Sequence, residues 1–134
     1  MSTVPEGADI ISATLRIYQS HFSGDPYNKL GKPLVEHVSY DTFVHEANGE
    51  AQYTMAPLDN TIPATPSLST NAELGYKTLD VTLAVRADLA AARSRAQFRL
   101  RFEKEASDEY QSNMTFWTSG ESDTNQPELV IAYK

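Results

Sequence analysis

Pro5-Glu6-Gly7-Ala8-Asp9-Ile10-Ile11-Ser12-Ala13-Thr14-Leu15-Arg16-Ile17-Tyr18 decides the fold. A Pro/Gly turn is followed by strict alternation of apolar and polar residues, the period of a half-buried β-strand. Ile11, Ala13, Leu15 and Ile17 are predicted to face inward, which turns Ser12, Thr14, Arg16 and Tyr18 to the open face. Working outward, Gln97 to Lys104 repeats the pattern, with Phe98, Leu100 and Phe102 inward and Arg99, Arg101 and Glu103 outward. Strands are also predicted at Leu34 to Tyr40, Tyr76 to Thr82, Asn113 to Thr118 and Glu128 to Tyr133. In the second of the six, Leu34, Glu36, Val38 and Tyr40 share a face and Val35 lies opposite with His37 and Ser39. Leu83 to Ala92 carries Leu, Ala and Arg at helical spacing and reads as the one substantial helix.

Between these segments, Gln19 to Lys32 holds the breakers Gly24-Asp25-Pro26 and Leu30-Gly31-Lys32-Pro33 and reads as a long loop. From Asp41 to Thr70 the chain is irregular, with a turn at Asn48-Gly49 and helix excluded by Pro57, Pro63 and Pro66. Short strands are expected there at Gln52 to Met55 and Ser67 to Thr70. The total is six to eight strands, in an all-β, jelly-roll-like antiparallel β-sandwich with one short helix.

The chain has 134 residues, enough for one domain and an ordinary core. Eighteen acidic against eleven basic residues give a formal charge of −7, which points away from nucleic acid. With no cysteine there is neither a disulfide framework nor a thiolate metal site. No run approaches the ~20 apolar residues of a spanning helix, so no membrane insertion is expected. The first residues lack the basic and apolar regions of a signal peptide.

Four segments together resemble the DNRLRE-type β-sandwich domains of bacterial and archaeal surface proteins, which include carbohydrate-binding modules and disaggregatase-related proteins. They are Pro5-x-Gly7-Ala8-x-Ile10-x-Ser12-Ala13-Thr14-Leu15-Arg16-Ile17-Tyr18, Asp80-Val81-Thr82-x-x-Val85, Trp117-Thr118-Ser119-Gly120-Glu121 and Pro127-Glu128-Leu129-Val130-Ile131-Ala132-Tyr133. The resemblance implies a non-catalytic module that binds a polysaccharide, acidic ones included, outside the cell or at its surface. In two respects the chain departs from that family. Phe43 and Tyr53 stand in the central stretch where the family often has tryptophan, and the family's initial strands have no counterpart. Residues 1–134 then read as a single β-sandwich domain or as the C-terminal portion of a larger one. An apolar edge beside the strand of Leu15 would be covered by a second copy or a strand-donating partner, or closed by rearrangement of the remaining strands. The alternative function is a structural subunit of a self-assembling surface layer, fibre or virion.

Arg16, Arg99 and Arg101, if their strands share a sheet, form an outward stripe able to grip carboxylates of an acidic glycan, with Tyr18 and Tyr40 as stacking rings. The competing role for these arginines is cross-strand pairing with Glu36, Glu103 or Glu128. Phe22, Tyr27, Tyr76 and Tyr110 are further aromatic candidates. Trp117 falls where the family has a core Phe, and so is expected inside unless Phe116 takes that place. No cofactor is called for. Asp25, Asp41, Glu46, Glu121 and Asp123 offer oxygen ligands for Ca²⁺ but no D-x-D-x-D-G loop is present. His21, His37 and His45 are scattered, which suits core or surface positions better than a zinc site. Glu46/Glu50 and Asp108/Glu109 are the carboxylate pairs a glycosidase would need, but no motif supports catalysis and the chain reads as a non-enzyme. Asn113-Met114-Thr115 matches the glycosylation sequon.

Overall fold

The computed structural model describes residues 4–40, 56–58, 67–104 and 113–134. They form an antiparallel, all-β, sandwich-like fold. Six strands are described: β1 (Ile10–Ser23), β2 (Pro33–Val38), β3 (Gly75–Asp80), β4 (Gln97–Phe102), β5 (Met114–Trp117) and β6 (Glu128–Tyr133). Two helices accompany them, the single turn α1 (Pro26–Lys29) and α2 (Thr82–Ala90).

The predicted opening strand is the spine of the larger sheet. β3 pairs with one of its edges, from Thr14↔Asp80 to Gln19↔Gly75. On the other edge β6 and β5 lie end to end, β6 beside Ile10 to Arg16 and β5 beside Gln19 to Ser23. Leu15 therefore has Leu79 on one side and Leu129 on the other, so β1 is paired along both of its edges there. β2 and β4 form the second sheet, in register from Pro33↔Phe102 to Val38↔Gln97. The other edge of β2 is covered by an isolated bridge from Leu34 to Ser67 and by backbone bonds from Leu68 to Pro33 and from Leu58 to His37.

The inner faces meet in one core. Ala13, Leu15 and Ile17 of β1 pack with Val35, Leu68, Val81, Ala84 and Val85, and Leu79, Phe98, Leu100, Trp117, Leu129 and Ile131 close around them. Trp117 takes the inward place and Phe116 the outward one, as the two-residue period requires.

Ile11 is a correction. It is 55% exposed while Ile10 is buried, because the register of β1 against β6 shifts between Ile10 and Ser12. One extra residue at a bulge inverts the face of everything on its far side.

The loop predicted over Gln19 to Lys32 is also corrected, since β1 runs on to Ser23 and α1 follows. A second irregularity between Gln19 and His21 hides this continuation from a period-two reading. Gln19 itself is buried and satisfied: its Oε1 accepts from the Tyr27 hydroxyl at 2.6 Å, and its Nε2 donates to the Ala72 carbonyl at 3.3 Å.

In β2 the deepest side chains are Val35 and His37, opposite Glu36 as predicted, although Val38 on the Glu36 side is buried too. The strand expected at Ser67 to Thr70 reduces to the one bridge at Ser67. That at Gln52 to Met55 and the turn at Asn48-Gly49 lie outside the described residues.

Asp80-Val81-Thr82 forms the corner between β3 and α2. The Asp80 carboxylate accepts from the Thr82 backbone N–H at 2.9 Å and from its hydroxyl at 2.6 Å. Thr82 Oγ1 in turn accepts from the Ala13 N–H at 3.0 Å, and Val81 N–H donates to the Ala13 carbonyl. Hydrogen bonds from Thr82, chiefly that of its hydroxyl, hold the Asp80 carboxyl below its ordinary range. The corner thereby aims Val81, Ala84 and Val85 into the core, and Arg86 fastens the first part of α2 by donating Nε and Nη2 to the Ile10 carbonyl.

Candidate functional site

Two-residue periodicity and the pairing register define the outer face of the larger sheet. β1 turns Arg16, Tyr18 and, past its second bulge, His21 to this side. Their cross-strand partners Thr78, Tyr76, Glu128 and Phe116 share it, with Thr14, Asp80, Val130 and Met114 around them. These side chains form a track along β1. At one end Arg16 Nη1 bonds Glu128 Oε2 at 2.5 Å, and its guanidinium lies 4.2 Å from the centre of the Tyr76 ring. Tyr76 is fixed by its hydroxyl, which donates to the Gln126 carbonyl, and Tyr18 meets it edge to face at 5.2 Å. At the other end His21 and Phe116 sit 5.4 Å apart, and Phe116 is 43% exposed. The track thus joins an apolar ring floor to a polar head that offers N–H donors from Arg16 and carboxylate acceptors from Glu128.

The stripe envisaged for Arg16, Arg99 and Arg101 is not assembled, because Arg16 belongs to one sheet and Arg99 and Arg101 to the other. Arg99 Nη2 and Arg101 Nε both bond Glu36 Oε1, at 3.1 and 2.9 Å. Tyr40 joins this second group: its hydroxyl takes Arg99 Nη1 at 3.4 Å, and its carbonyl takes Arg95 Nη2 at 3.2 Å. Of the five residues singled out as ligand-binding, Arg16 and Tyr18 are together on one side of the molecule, and Tyr40, Arg99 and Arg101 on the other. A polar notch of about 170 Å³ adjoins the second group, lined by Ser39, Tyr40, Arg93, Ser94, Arg95 and Gln97.

Sequence reasoning missed the most buried polar cluster. His37 Nε2 lies 2.9 Å from each oxygen of Asp88, and both side chains are essentially sealed from solvent. Arg93 Nη1 completes the group at 2.9 Å from Asp88 Oδ1. His37 Nδ1 has no partner among the described residues. Asp88 was legible in principle, since a carboxylate four residues after Ala84 and three after Val85 falls on the buried stripe of α2 and must find a partner. Enclosure keeps this pair from meeting a substrate, and its chemistry is structural.

Among the described residues no three of His, Cys, Asp and Glu converge as a metal site would require. Asp25 spends its carboxylate on Asn28, at 2.9 and 3.1 Å. Asn113 of the sequon accepts the Asp25 N–H through its side-chain oxygen at 2.9 Å. Phe22 stacks loosely on His21, and Tyr27 packs edge-on against Phe102. Asp41, His45, Glu46, Glu50, Phe43, Tyr53, Asp108, Glu109 and Tyr110 lie outside the described residues. No family model matches the chain, and neither a curated protein nor a solved structure matches it.

Proposed function

We propose that the chain is a non-catalytic module that binds a polysaccharide along the outer track of β1, in a secreted or cell-surface protein. The observation that carries the reading is the placement of Arg16–Glu128 on Tyr76, then Tyr18, then His21 and Phe116, along one sheet face. A pyranose presents an apolar C–H face and a rim of hydroxyls. Rings at one end of the track suit the first and the ion pair at the other suits the second. The likeness of the opening strand to DNRLRE-type modules supports the same reading.

Affinity electrophoresis through gels containing soluble polysaccharides tests it. Retardation that is lost in Phe116→Ala and Tyr18→Ala, with unchanged thermal melts, is the expected result; equal mobility in every gel refutes it. Light scattering separates the reading from its competitor. A binding module stays monomeric without ligand, whereas a concentration-dependent oligomer favours a self-assembling subunit. The pairing of β1 with β3 on one edge and with β5 and β6 on the other favours the binding module over that competitor.

A further inference from the structure

Resting on the glycan-binding reading, we infer that the ligand of the β1 track is an uncharged pyranose chain rather than a uronic or sulfated one. Among the described residues the face has no lysine or arginine outside an ion pair. Among its described strand residues Arg16 is the only lysine or arginine, and Glu128 and Asp80 are carboxylates on the same side. Arg16 is already bound to Glu128 at 2.5 Å. A ligand carboxylate on the other N–H groups of Arg16 would lie beside Glu128, sharing one cation between two anions and adding a repulsion. A polyanion would also approach a chain of formal charge −7.

A neutral sugar makes no such demand. Vicinal hydroxyls each donate and accept. The pair presents both complements together, N–H groups of Arg16 not used on Glu128 and the second carboxylate oxygen of Glu128. Tyr76 beneath the guanidinium and the bond from its hydroxyl to Gln126 hold that polar head in place before any ligand arrives. From Arg16 to His21 the track runs roughly 15 Å at strand rise, room for a short oligosaccharide lying along β1 with its C–H face on His21 and Phe116.

Calorimetry with neutral hexasaccharides (cellohexaose, xylohexaose, mannohexaose) and with hexagalacturonate, each at low and high sodium chloride, tests the charge class. The expected result is binding of a neutral ligand with affinity unchanged by salt, since no ion pair forms across the interface. Glu128→Gln supplies the sign. It turns the carboxylate into a neutral amide, so hydroxyls lose a charge-assisted partner for an ordinary one, and that binding is expected to weaken about fivefold. For an acidic ligand the same substitution removes a repelling charge and strengthens binding. Hexagalacturonate binding that falls with salt and improves in Glu128→Gln would overturn the inference and leave the glycan reading standing. Failure of both classes to bind would sink the glycan reading itself, and the inference with it. Because Glu128 is exposed and Gln nearly isosteric, the variant is expected to fold, which a thermal melt checks.

Discussion

Asp88→Ala is expected to cost about 3 kcal/mol of folding stability. Asp88 bonds His37 Nε2 and Arg93 Nη1, and its carboxylate is almost wholly enclosed. A hydrogen bond to a charged group contributes ~1.5–3 kcal/mol, but the two partners do not lose equally. The Arg93 side chain is 29% exposed and can turn to water, so its share is below ~1 kcal/mol. His37 has no such escape. Its Nδ1 lacks a partner among the described residues, and removing Asp88 takes the partner of Nε2 as well, a penalty of ~2 kcal/mol or more. For a chain of this length such a loss lowers the melting temperature by about 10 °C. Urea denaturation followed by Trp117 fluorescence reads it directly, since Trp117 packs against the core. The companion is the double variant His37→Leu/Asp88→Leu, in which an apolar pair replaces the polar one and most of the stability is expected to return. A loss under ~1 kcal/mol in Asp88→Ala, or a double variant no better than the single, would refute the account of His37 as a residue that depends on Asp88.

Other expectations follow from the corner and the turns. Thr82→Val removes the acceptor for Ala13 N–H and the donor to Asp80, and is expected to lower stability by ~1–2 kcal/mol in urea melts, whereas Thr82→Ser stays close to the parent. Asp80 has a carboxyl pKa lowered by folding, so its contribution is complete above the ordinary carboxylate value and is lost as pH falls through the lower folded value. Urea midpoints measured downward from neutral pH should lose this component only below the ordinary value of 3.8, and Asp80→Asn should flatten that part of the profile. Gly31 has φ +86°, and a Cβ there would come within 2.9 Å of Glu103 Cβ. Gly31→Ala is therefore expected to cost ~1–3 kcal/mol, more than Gly7→Ala, where φ is +80° but the space is open; thermal melts of the two variants compare them. Tyr27→Phe leaves the buried Gln19 Oε1 without its donor and is expected to destabilise by ~1–2 kcal/mol. In the parent, burial raises the Tyr27 phenol above its ordinary range, which an ultraviolet titration reads as a late-ionising tyrosine.

Much of the fold was legible because it rests on local period and local breakers. The alternation of Ala13, Leu15 and Ile17, the parallel case of Phe98 and Leu100, the strands at Met114–Trp117 and Glu128–Tyr133 and the helix after Val81 all follow from side-chain order along one segment. Ile11 and the stretch from Gln19 to Ser23 were misread for a shared reason. A bulge shifts the face of a strand without leaving a mark in composition, and it is visible only once a partner strand sets the register.

For the candidate site the division is sharper. That Arg16, Tyr18, Arg99 and Arg101 point outward is a property of each strand taken alone, and the sequence by itself determined it. Which outward residues become neighbours depends on strand order, a matter of pairing between segments tens of residues apart. Only the tertiary structure put Arg16 beside Glu128 and Tyr76, sent Arg99 and Arg101 to Glu36 on the other sheet, and joined His37 to Asp88 across 51 positions. Charge neutralisation is pairwise and long-range in the chain, so the sequence could supply the arginines but not their partners. Those partners turn a presumed basic stripe into two compensated clusters.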